Sequence, residues 1–132
     1  MASYRTREGS ITASDSFTAL TSLYGQSTTS SVQVPAGNAA IVGMIVSVSH
    51  DSATNGAATF AVQLTGDGLT EQHTMTVGSA GVDGTPASNG MTNLPFKCDV
   101  AIPCTASNQV SIAAAMDADI GTAQVSVTLV FA

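Results

Sequence analysis

The stretch Ser31–Ser49, SVQVPAGNAAIVGMIVSVS, constrains the fold of this chain more than any other. It reads as a short strand at Ser31–Val34, a tight turn at Pro35-Ala36-Gly37-Asn38, and a long strand at Ala40–Ser49. Alternation sends Val42, Met44, Val46 and Val48 to one side and Ile41, Gly43 and Ile45 to the other, so both faces are apolar. Such a strand has to be covered on both faces, deep in a sandwich or at a contact between subunits. Gly43 in mid-strand marks close packing or a bulge. The stretch carries no residue suited to chemistry.

The rest of the chain follows the same period. Strands are expected at Ser10–Phe17, Ala57–Thr65, Glu71–Val77, Leu94–Ile102, Gln109–Met116 and Ala123–Ala132, separated by turn chemistry such as His50–Gly56, Gly66-Asp67-Gly68 and Asp117–Gly121. Thr18–Thr29 is read as a connection, and no amphipathic helix is evident. About eight short antiparallel strands predict an all-β sandwich, with jelly-roll topology favoured over a closed barrel. Val32-Gln33-Val34-Pro35, followed by Asn38, is echoed by Val100-Ala101-Ile102-Pro103, followed by Asn108, half a chain length later. That echo fits two similar Greek-key halves. Residues 1–9 are expected as an extended arm, ordered only against a neighbour, and residues 10–132 as a single domain. Gly78–Asn93 is long for a loop in a compact domain, so it is read as an exposed functional loop or a contact to another chain.

Charge narrows the function classes. Only 9% of the 132 residues are charged, where an ordinary soluble domain has about 25%. At 44% hydrophobic the chain is not disordered, and no apolar run approaches the roughly 20 residues of a membrane span. A surface so poor in charge is weakly defended against association, which implies cover by copies of the chain. The net charge of −6, with Arg5, Arg7 and Lys97 as the basic residues, argues against direct nucleic-acid binding. Arg5 and Arg7 could touch a genome; a solvated arm or a salt bridge is the simpler reading. The first residues lack the apolar run of a secretory signal, so synthesis in and release from a cytoplasm is expected.

Candidate chemical residues are few. His50-Asp51 reads as a turn whose Asp caps backbone groups. His73 is placed on the polar face of its strand, and a metal site would require it to meet His50 and a carboxylate. Cys98 and Cys104 stand too far apart in an extended strand for a disulfide, so free, mostly buried thiols are expected. Asp117 and Asp119, followed by Gly121, faintly resemble a calcium loop but lack its remaining ligands; a plain hairpin turn is preferred. No catalytic set and no cofactor site emerges, and the chain is not expected to be an enzyme.

The pattern VQVPAGNAAIVGMIVSV, then AATFAVQLTGDG, then GTAQVSVTLVFA resembles single jelly-roll virion proteins of bacterial and archaeal viruses. The resemblance covers most of the chain at the level of strand pattern and composition. It implies a small coat or capsid-decorating protein located in the virion and assembled in a host cytoplasm. Copies would associate as trimers or larger, with other virion proteins as possible partners. Tyr4, Arg5 and Arg7 of the arm, and Val82 and Met91 of the long loop, are the expected subunit contacts. The competing readings are a carbohydrate- or receptor-binding sandwich, which usually shows exposed aromatic platforms, and a cupin-like metal enzyme, which needs convergent histidines.

Overall fold

Alternation is realised most fully in the last strand, where Ala123, Val125, Val127, Leu129 and Phe131 are buried and the residues between them face outward. The computed structural model describes residues 2–11, 16–21, 29–52, 56–82, 90–117 and 122–132, with side chains described outside 49–57 and 78–98. Nine strands run through these residues: β1 (Ser3–Ile11), β2 (Thr18–Ala19), β3 (Ser31–Gln33), β4 (Ala40–Ser52), β5 (Gly56–Thr65), β6 (His73–Val82), β7 (Gly90–Pro103), β8 (Gln109–Met116) and β9 (Ala123–Phe131). All described pairings are antiparallel.

Two sheets result. The first has the order β1-β9-β4-β7, and the second has the order β2-β8-β5-β6, with β3 also on β8. β2 and β3 lie end to end along one edge of β8: Thr18 and Ala19 pair with Ala114 and Ala113, while Ser31, Val32 and Gln33 pair with Ser111, Val110 and Gln109. Between them, the Leu20 N–H donates to the Ile112 carbonyl and the Ile112 N–H donates to the Ser30 carbonyl. The two pieces therefore act as one interrupted edge strand. Counted so, each sheet has four strands, in the order of a jelly roll. The inner faces share one core, with Leu129 and Phe131 from the first sheet and Phe60, Leu64 and Ile112 from the second fully buried.

The echo between Val32–Asn38 and Val100–Asn108 has a structural counterpart. Both segments carry the chain from one sheet to the other, β3 to β4 and β7 to β8. A shift of half the chain lays β1 on β6, the β2–β3 strand on β7, β4 on β8 and β5 on β9. The same shift converts the first sheet's order into the second's.

These two connections meet the β5–β6 turn at one end of the sandwich, and backbone hydrogen bonds knit all three. Val34 N–H donates to Asn108 O (2.8 Å), Ser107 N–H to Val34 O (2.9 Å), Gly68 N–H to Gln109 O (2.8 Å) and Thr105 N–H to Gly68 O (2.8 Å). The Asp67 carboxylate accepts from the Gln109 N–H at 2.9 Å. The chain's last residue joins the same end, the Ala39 N–H donating to Ala132 O.

Several expectations are revised. Where an arm was expected over residues 1–9, Ser3–Ile11 is a strand paired with β9 along its whole length. Its composition is polar because it is an edge strand with little to bury, which is why it lacks the pattern of a core strand. In β4 the register shifts between Ile41 and Gly43. This bulge puts Ile41 and Met44 on the same inner face and turns Val42 outward, 39% exposed, where simple alternation had grouped Val42 with Met44. His50 and Asp51 continue β4 and pair with Thr92 and Met91, so they do not form a turn. The expected long loop is largely strand as well: β6 runs on to Val82 and β7 begins at Gly90. Gly78, Ser79 and Gly81 carry no apolar alternation, so only their ladder partners on β5 reveal them as strand.

The knitted end makes a graded prediction. Gly66 and Gly37 both hold positive φ (116° and 85°), but a Cβ at Gly66 would lie 2.5 Å from the Gln109 carbonyl oxygen, whereas one at Gly37 meets nothing within 4 Å. Gly37→Ala should therefore cost about 1 kcal/mol of unfolding free energy, for backbone strain alone. Gly66→Ala should cost about 2–3 kcal/mol, because the β5–β6 turn must also move off β8. Urea denaturation of the two variants checks the order.

Candidate functional site

The surface left uncovered by the sandwich is set by strand register. Residues directly opposed in an antiparallel pair share a face. The outward residues of β9 (Gln124, Ser126, Thr128 and Val130) therefore stand beside Ser10, Glu8, Thr6 and Tyr4 of β1, and Ser126, Thr128 and Val130 stand beside Ser47, Ile45 and Gly43 of β4. Val42 projects at the bulge. Among the described side chains of this face, charge is confined to the flanks, at Glu8 on β1 and Asp99 on β7. The middle is small, β-branched and neutral. Its polar atoms are partly paired with one another, Thr6 Oγ1 with Thr128 Oγ1 at 2.8 Å and Gln124 Nε2 with Ser10 Oγ. Tyr4, 59% exposed, stands at one corner.

Within β4, then, the inner face is covered by the second sheet, while Val42 and Ile45 on the outer face have no full cover from their own chain. The two-sided apolarity seen in the sequence is resolved as one core face and one open face.

The predicted contact residues fall in different places. Arg7 serves its own chain: its Nε donates to the Thr29 carbonyl (3.0 Å), its Nη2 to the Ser31 carbonyl (2.8 Å) and its Nη1 to the Thr6 carbonyl (2.9 Å). It thus clasps the edge of the first sheet to the edge of the second and occupies carbonyls that an edge strand would otherwise present. Arg5 stays exposed, with its Nη1 on the Tyr4 carbonyl at 2.9 Å. Val82 pairs with Gly56 and Met91 with Asp51, so both belong to ladders and not to a free loop.

Among the described residues the candidate ligands do not converge. Asp117 Oδ1 accepts the Thr59 N–H at 2.8 Å, and the Asp117 N–H donates to the Thr59 carbonyl at 3.1 Å. This reciprocal pair extends the β5–β8 ladder by one step beyond Phe60–Met116. Asp119 lies outside the described residues. His73 is opposite Leu64, on the side of the core residues with Met75 and Val77, and not on the polar face expected from the sequence: positions 73, 75 and 77 share one face of a strand. Among the described residues no group of three or more His, Cys, Asp or Glu side chains is arranged to hold a metal. Cys104 is a free thiol, half-buried at the knitted end, where its N–H donates to Ala39 O. The Cys98 side chain lies outside the described set.

No known protein family matches this chain, and no curated protein matches it. Among solved structures it is similar to a chain in the structure of infectious bursal disease virus Gx strain, with 15% identity and a TM-score of 0.42. That alignment covers 96% of this chain and 32% of the other, so the chain spans about a third of the length of that viral chain.

Burial pushes the Cys104 thiol above its ordinary range by disfavouring the thiolate. The folded state therefore holds this proton more tightly than the unfolded state. Its contribution to stability is present at neutral pH and is lost as pH rises through the thiol range. Because the thiolate is the nucleophile, iodoacetamide in mildly alkaline solution should alkylate Cys104 several-fold more slowly in the folded protein than in urea. Mass spectrometry of the labelled peptide measures the ratio.

Proposed function

We propose that this chain is a virion structural subunit, a coat or capsid-decorating protein that works by assembling with copies of itself and carries out no catalysis. The observation that carries this reading is the outer face of the first sheet, which among its described side chains is neutral across β9 and β4, flanked by charge, and marked by Val42, Ile45, Val130 and Tyr4. A face of four strands about 4.8 Å apart and nine residues long at about 3.3 Å each measures roughly 600 Å² in projection. Side-chain relief raises its accessible area toward the ~800 Å² that each partner contributes to a standard interface. Burying its middle removes β-branched apolar surface from water at about 25 cal/mol per Å², while Glu8 and Asp99 stand at the flanks, where a contact can leave them solvated.

The jelly-roll order supports the same reading through rigidity. A sandwich tied at one end by three interlocked connections, and clasped at its open side by Arg7, holds its outer face to one shape. Symmetric assembly requires that, because a repeated contact closes only if every copy presents the same geometry. Partners in this reading are further copies of the chain and other virion proteins, and the protein resides in the virion after assembly in the host cytoplasm.

Sedimentation velocity of the purified full chain tests the proposal. A trimer or larger species is expected across the micromolar range. A monomer persisting at high micromolar concentration would contradict it.

A further inference from the structure

The second sheet has an outward feature that self-assembly does not require. Across its middle, Thr76 of β6, Ala61 of β5 and Ala115 of β8 form one row in register. Thr18 pairs with Ala114, so Phe17, the residue before it, continues that row at the sheet edge. Two alanines between a threonine and a phenylalanine leave a depression, and the Thr59–Asp117 pair walls it on one side. The hollow measures about 360 Å³ and is lined by these residues together with Met116.

We infer that this hollow is a binding site for a neutral saccharide ring. Its chemistry selects that class by exclusion and by fit. Among the described lining residues the one charged group is a carboxylate and there is no cation, which disfavours phosphate, sulfate, nucleotide and acidic-sugar ligands. The volume lies near the lower end of small-molecule sites, roughly 300–1,000 Å³, and suits a single ring with its substituents. A pyranose presents an apolar C–H face together with a rim of hydroxyls, and the hollow offers a surface for each. Phe17, 39% exposed, is the aromatic group among the described lining residues and can supply C–H contact, and the alanine floor lets a ring approach the sheet.

The polar groups stand at the margin, where ring hydroxyls would lie. The Thr76 side chain is exposed and can donate or accept. Asp117 is held in place before any ligand arrives, because its Oδ1 accepts the Thr59 N–H at 2.8 Å. An ionised carboxylate has about four acceptor positions, so this bond leaves capacity for sugar hydroxyl donors. A carboxylate fixed by backbone loses little freedom on binding. The inference is independent of the assembly reading, since the hollow and the neutral face of the first sheet lie on opposite sides of the sandwich.

The test is saturation-transfer NMR on the full chain with methyl glycosides of glucose, galactose, mannose and N-acetylglucosamine, and choline chloride as a control. Transfer to ring C–H protons of at least one glycoside is expected. Binding should weaken about tenfold in Phe17→Ala, the loss of one aromatic contact. It should weaken several-fold in the near-isosteric, exposed Thr76→Val, which keeps the test open if Phe17→Ala fails to fold. Folded protein giving no transfer to any glycoside would overturn the inference, as would transfer unaltered by both substitutions. Transfer to choline in preference to the glycosides would also overturn it, by pointing to a cationic ligand. A change of oligomeric state in Phe17→Ala without glycoside binding would overturn it too, assigning the hollow to subunit packing.

Discussion

The structure depends on the contact between two alternating inner faces. β9 and β4 send Val125, Val127, Leu129, Met44, Val46 and Val48 toward Phe60, Val62, Leu64, Val110 and Ile112 of β5 and β8, and all of these are buried. The chain has few charges with which to order a surface and no Trp, so this dry layer is the main source of specificity for one sheet register over another. A slip of one residue in β9 would turn Leu129 and Phe131 outward and bring Thr128 and Gln124 inward. The bulge at Val42 serves the same layer: by spending one extra residue it keeps both Ile41 and Met44 on the core side across a point where the strand bends.

From that layer the remaining features follow in order. Two sheets with free edges need a clasp, and Arg7 supplies one across the β1 and β3 edges. The crossovers need tight ends, and the Pro-led connections at Pro35 and Pro103 supply them, locked against Gly66-Asp67-Gly68. The near-equivalence of the two crossovers under a half-chain shift explains why both use Pro and Asn in similar places. They solve the same geometric problem, the passage from one sheet to the other at the same end of the sandwich. A frame so tied holds its outer faces to a fixed geometry, which is the property an assembling subunit needs.

The sequence reveals much of this, and unevenly. β5, β8 and β9 were legible because one face of each is buried and the other is not, so period two is written directly in Ala58-Phe60-Val62-Leu64 and Val125-Val127-Leu129-Phe131. β1 was not legible as a strand, because its inner positions include Ser3, Arg5 and Gly9 and only Ile11 is fully buried. Its pairing with β9 comes from ladder hydrogen bonds, which leave no trace in side-chain pattern. The second part of β6 was hidden for the same reason. The bulge at Val42 was marked by Gly43 but its phase was not, since alternation on either side is equally apolar. Of the candidate surfaces, the poverty of charge was visible from composition alone. The row Thr76-Ala61-Ala115-Phe17 required the register of strands distant in sequence.

The central claim is that the outer face of the first sheet is covered by another copy of the chain. Hydroxyl-radical footprinting of Tyr4 tests it most directly, because this side chain is 59% exposed on the isolated subunit and stands at the corner of that face. Burial between copies predicts that Tyr4 oxidises slowly in concentrated protein and quickly on dilution or in the dissociated subunit. Oxidation at the fast rate at every concentration, in protein that sediments as an assembly, would show that copies meet elsewhere and that this face is open.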